Sequence, residues 1–127
     1  MMTEASLVNS GTLIAAGQVK GSNVYDLAGE KIGSIDDIMI DKVSGRAIYA
    51  VMSFGGFLGV GENYFPLPWA SLKYDARLDG YVVGLSREQL EAAPKYARDT
   101  AFEWTPDFGR QVDKYYDEPD NWERDAE

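Results

Sequence analysis

The chain has 127 residues, enough for one compact domain and too few for separate cofactor and substrate lobes. Apolar residues make up 45% and charged residues 26%, which is ordinary globular usage and excludes a disordered, collagen-like or coiled-coil chain. With no Cys and no His, disulfide frameworks, thiolate metal centres, imidazole ligands and Ser-His or Cys-His nucleophilic pairs are all ruled out.

The net charge of -9 repels phosphate backbones, so neither nucleic acid nor an anionic membrane is an expected partner. That charge is uneven. Residues 1–98 hold eleven Asp/Glu and nine Lys/Arg, a net of -2, while 99–127 hold ten and three, a net of -7. Near the start there is no basic segment followed by a long apolar run, as a signal peptide needs, and no window approaches the roughly 18 apolar residues of a membrane span. A cytoplasmic protein without membrane insertion is expected.

In chain order, residues 1–11 lack an apolar period and read as a flexible arm. From Leu13 to Leu85 short apolar or alternating runs are broken by turn residues, the pattern of an all-β sandwich or small barrel. Val24-Tyr25 precedes a turn over Asp26 to Glu30 in which Gly29 supplies a positive φ, and Lys31 to Ile40 follows as a strand. Ile32, Ile38 and Ile40 supply its apolar side chains. Ile35 falls out of step, which predicts a bulge or bend somewhere around Gly33 to Asp37.

Asp41 to Arg46 makes a hairpin loop closed by Gly45, and Arg46 to Phe54 is apolar enough for a central strand. After glycine-rich Phe54 to Glu62, Tyr64 to Trp69 is held to an edge or bulge by Pro66 and Pro68. Leu72 to Tyr74, a hairpin loop over Asp75 to Gly80, and Tyr81 to Leu85 bring the expectation to about six strands in a closed or nearly closed barrel. Ser86 and Gln89 have capping-box spacing, so a short helix begins after Ser86 and stops before Pro94. Farther on, Thr105-Pro106-Asp107 offers an N-cap, a first-turn Pro and an acid near the dipole, and Phe108, Val112, Tyr115 and Tyr116 form an apolar stripe. That helix is expected to dock on the barrel or on a second chain.

Val24-Tyr25, Gly29-Glu30, KIGSIDDIMID from Lys31 to Asp41, GRAIYAVMSFGGFLGVGE from Gly45 to Glu62, Pro68-Trp69 and Leu72 to Asp75 together resemble the PRC-barrel family. The resemblance spans roughly Leu13 to Pro94. Trp104, Tyr115-Tyr116, Pro119 and Trp122 are similar to the C-terminal extension of stand-alone bacterial members. It implies a small PRC-type β-barrel over 12–94, a short helix after its last strand, and an acidic aromatic helical or extended tail over 95–127. The family also implies an assembly role: one member packs on a membrane-bound reaction centre, and another accompanies binding to a ribosomal protein. The sequence shows neither the first one's membrane helix nor the second one's RNA-associated domain, so a photosynthetic role is not expected and a ribosome-maturation role is the weaker alternative.

Four candidate features follow. Gly55, Gly56, Gly59 and Gly61 lack the Lys-Ser/Thr and helix start of a phosphate cradle, so they read as a tight turn. The side chains they carry, Phe54, Phe57, Leu58 and Val60, either plug the barrel or form an interface. Asp36, Asp37 and Asp41 with Glu30 could gather a divalent cation in a small-ligand or cation sensor, but their spacing matches no EF-hand loop, and solvated edge charges or an Asp41 turn hydrogen bond account for them better. In the tail, Trp104, Phe108, Tyr115, Tyr116 and Trp122 have an interface composition, docked either on their own barrel or on a partner. No cofactor and no catalytic group is indicated, and the leading expectation is a self-associating, homodimeric assembly module.

Overall fold

A computed structural model describes residues 13–54, 63–97 and 102–118, with the side chain of Phe54 excluded. The arm over 1–11, the glycine-rich segment with Phe57, Leu58 and Val60, and Trp122 lie outside the described residues.

A one-turn helix α1 (Ala16–Val19) leads to β1 (Asn23–Tyr25), β2 (Lys31–Ile40), β3 (Ala47–Phe54) and β4 (Asn63–Pro68). A 3-10 turn (Trp69–Ser71), β5 (Leu72–Asp75), β6 (Gly80–Val83), α2 (Arg87–Glu91), β7 (Tyr96–Ala97) and α3 (Pro106–Tyr115) complete it. The strands form one seven-stranded, barrel-like sheet in the order β5-β6-β1-β2-β3-β4-β7. All pairings are antiparallel except β1 with β6. The sheet does not close: among the described residues β5 and β7 each have a strand neighbour on one side only. The seventh strand, beyond the expected six, comes from the tail.

Local chemistry sets most boundaries. Asp26 is buried, and its Oδ1 accepts the N–H groups of Ala28 and Glu30 at 2.9 Å each, which fixes the turn that Gly29 completes at φ 84°. In the β2–β3 hairpin Gly45, at φ 81°, donates to the Asp41 carbonyl at 2.7 Å. The Ser86–Gln89 capping box forms in both directions, and Thr105 Oγ1 accepts the Phe108 N–H at 3.2 Å to start α3.

The bulge in β2 lies between Ile35 and Asp37, where the register against β3 shifts. Its effect on side chains corrects the simple alternation. Ile35 is fully buried beside Ile32 in the core, whereas Ile40 is 52% exposed, because a second shift between Met39 and Ile40 turns the end of the strand outward.

The core joins Val24, Ile32, Ile35, Tyr49, Met52, Phe65, Leu67 and Val83 from the sheet with Leu90 of α2 and Val112 of α3. Beyond β7, the second half of β4 has no strand partner on its outer side among the described residues, which accommodates Pro66 and Pro68, neither of which has an N–H to offer there. Helix α3 packs against β4.

Candidate interaction surface

Helix α3 presents Gly109, Val112, Asp113 and Tyr116 inward, an i, i+3, i+4, i+7 stripe turned from the purely apolar one read in the sequence. Gly109 has no side chain to hold the helix off, so the Tyr49 hydroxyl reaches its carbonyl at 3.2 Å and Asp113 Oδ1 at 2.9 Å. Phe108 and Trp104 are half-buried against the core, Val112 is fully buried and Tyr116 is 9% exposed. Tyr115 stays on the rim, its hydroxyl bonded to the Gln89 carbonyl at 2.5 Å. The tail helix therefore docks on the barrel of its own chain.

Around it the rings of Tyr96, Phe102, Trp104 and Phe108 form a continuous cluster. Tyr96 and Phe102 stack at 4.1 Å, Phe102 meets Phe108 edge-on at 4.8 Å, and Trp104 tilts over Tyr49 at 5.2 Å. Burial pushes the Tyr96 phenol above its ordinary range. Of the aromatic interface candidates, then, Trp104, Phe108 and Tyr116 are spent within the chain. Phe54, Phe57, Leu58, Val60 and Trp122 are not described.

The carboxylates proposed for a cation do not converge. Asp41 holds its own turn, accepting the Ser44 N–H at 3.1 Å, and hydrogen bonding to Ser44 keeps its carboxyl below the usual range. Asp36 accepts from the Ser53 hydroxyl at 3.3 Å, and Asp37 from the Ile38 N–H at 2.9 Å. Among the described residues no group of three or more carboxylates gathers as a metal site would.

What remains open is the flank at β5. A groove of about 620 Å³ runs there, lined by Leu27, Lys73, Val82, Leu85, Tyr116 and Glu118 among others. Leu27 is 67% exposed, and Tyr74 on the edge strand is 54% exposed. Glu118 ties the end of α3 to the start of β5 by accepting from Ser71 Oγ at 2.7 Å. The Tyr116 hydroxyl is buried beside the groove with no hydrogen-bond partner among the described residues, and burial raises its pKa. None of these groove residues except Tyr116 stood out in the sequence, because Leu27 sits in a turn and Val82 and Leu85 resemble ordinary strand residues.

Open antiparallel sheet, single parallel β1–β6 pairing and a helix packed on β4 define a small, single-core β-barrel domain. The family model for the PRC-barrel domain matches residues 11–90, well over half of the chain. The chain belongs to the PRC-barrel family. No curated protein matches it. Among the described residues no helix is long and apolar enough to cross a membrane.

Proposed function

We propose that this PRC-barrel protein is a non-enzymatic assembly module of the cytoplasm that associates with a second copy of itself. The observation that carries this reading is the flank at β5, where an edge strand lies beside an apolar-lined groove and Leu27 and Tyr74 remain exposed. An unpaired strand edge flanked by exposed apolar groups is a template for another chain, and soluble proteins usually blunt such an edge unless it is used.

Charge supports the choice of partner. The edge strand carries both signs, Lys73 and Asp75, which suits a second copy of the same strand, while the chain's total of -9 opposes nucleic acid. The internally docked tail helix shifts the expected contact from tail aromatics to barrel surface. Light scattering from micromolar to millimolar concentration tests the reading: a concentration-dependent dimer is expected, and a monomer throughout overturns self-association.

A further inference from the structure

We propose that β5 is the seam of the dimer, two copies pairing antiparallel through Leu72–Asp75 about a two-fold axis at Tyr74. This deepens, and rests on, the self-association reading above. Among the described residues β5 hydrogen-bonds only to β6, so its other edge presents free backbone donors and acceptors.

The sequence of the strand selects both occupant and register. By strand alternation Lys73 and Asp75 share one face with Val82, the cross-strand neighbour of Lys73, while Tyr74 shares the other with Tyr81, whose ring it meets at 5.5 Å; all three border the groove with Leu27. In a two-fold antiparallel pair centred on Tyr74, Lys73 of one copy stands opposite Asp75 of the second, twice over, and the two Tyr74 rings meet. Shifting the axis by half a residue sets Lys73 against Tyr74 and loses both charge pairs. Lys73 is exposed and has no carboxylate partner among the described residues, so its ammonium is available. Asp75 accepts the Arg77 N–H at 2.9 Å and has a loose 4.0 Å ion pair with the exposed Arg77, leaving lone pairs for a second cation.

Exposed apolar groups flank the strand on both sides. Leu27 borders it in one groove, and Ile14 shares a second, smaller groove with Tyr74. The two-fold operation would bring the Leu27–Val82 grooves of the two copies side by side, extending the buried surface beyond four residue pairs.

The chain has no Cys, which permits a cross-linking test without background. Facing residues of an antiparallel pair lie about 4.5–5.5 Å apart between Cα atoms, within the roughly 4.4–6.8 Å a disulfide spans. Under mild oxidation Tyr74→Cys is expected to give a disulfide-linked dimer, while Val43→Cys, 90% exposed on the β2–β3 loop, stays monomeric on a non-reducing gel at equal concentration. Independently, Lys73→Asp, an exposed change that leaves the fold intact, is expected to weaken dimerisation by tenfold or more in sedimentation, because carboxylates then face each other. If the wild type dimerises but Lys73→Asp does so equally well, or Tyr74→Cys cross-links no better than Val43→Cys, another surface joins the copies and the seam is wrong. A monomeric wild type would overturn the self-association reading itself, and the seam with it.

Discussion

The hydroxyl of Tyr49, in the central strand β3, donates to Asp113 Oδ1 in α3 at 2.9 Å, with both residues almost fully buried. Sixty-four positions separate them in the chain. A buried carboxylate is tolerated only where it is hydrogen-bonded, so this contact both needs and fixes the placement of the tail helix. The C-terminal extension is thereby part of the barrel's core.

Tyr49→Phe keeps the ring and its packing on Trp104 but removes the donor to Asp113. A loss of about 1–3 kcal/mol is expected in urea unfolding, the cost of leaving a buried polar group short of a partner. Combined with Asp113→Ala, the two changes should be non-additive by at least about 0.5 kcal/mol, as for residues in direct contact. Additive losses would mean that the pair does not couple.

Removing residues 99–127 tests the same point at larger scale. The sequence leaves open whether the tail helix docks on its own barrel or on a second chain, and only in the second case would its loss lower association and spare the barrel. Val112 is fully buried and Tyr116 nearly so within the core cluster, so truncation strips cover from Tyr49, which touches Trp104, Gly109 and Asp113, and should lower stability by several kcal/mol. Burying a single large apolar side chain is worth about 1.5–3 kcal/mol. Thermal unfolding of the truncated chain at unchanged midpoint would show the tail to be an appendage.

The barrel strands, both hairpins, the β2 bulge and the two helix caps are legible because each rests on local signals: alternation, Gly45, Asp41, Ser86 with Gln89, and Thr105-Pro106. Four features are not. Tyr96-Ala97 is too short to carry an alternating pattern, yet it pairs with Asn63 and Tyr64. The parallel contact of Asn23–Tyr25 with Gly80–Val82 joins segments more than fifty residues apart and has no local signature. On α3, Asp113 and Gly109 look like solvent residues by type. Their burial is favoured by the distant Tyr49, whose hydroxyl reaches both, so the stripe appears in the sequence rotated toward Phe108 and Tyr115. The β5 flank was likewise hidden, since an edge is defined by topology and not by composition.

Gly33 and Gly80 mark where strands approach too closely for a side chain. A Cβ on Gly33 would collide with the Ser53 carbonyl, and one on Gly80 would lie 2.7 Å from the Asn23 carbonyl and 2.8 Å from the Tyr25 ring. Since the obstacles include backbone, strands must separate, and either change to Ala should cost about 1–3 kcal/mol. Gly84, where an added Cβ meets nothing within 4 Å, serves as the control and should be neutral to Ala. Equal stability of all three variants in denaturant melts would contradict the packing described.

Tyr116 combines a nearly buried ring with a hydroxyl that has no partner among the described residues, and burial raises its pKa above the ordinary phenol value. A folded-state pKa above the unfolded one gives stability that is fully present below about pH 10, the unfolded tyrosine value, and is lost as pH rises toward the folded value. Tyr116→Phe removes the unsatisfied hydroxyl and the alkaline penalty together. It should therefore gain about 1 kcal/mol near neutrality and lose less stability between neutral and strongly alkaline solution. Some alkaline loss must persist, because burial also raises Tyr81 and Tyr96. Urea unfolding of both chains over that range decides the matter: parallel pH profiles would show that the Tyr116 phenol ionises in the fold as readily as in the unfolded chain.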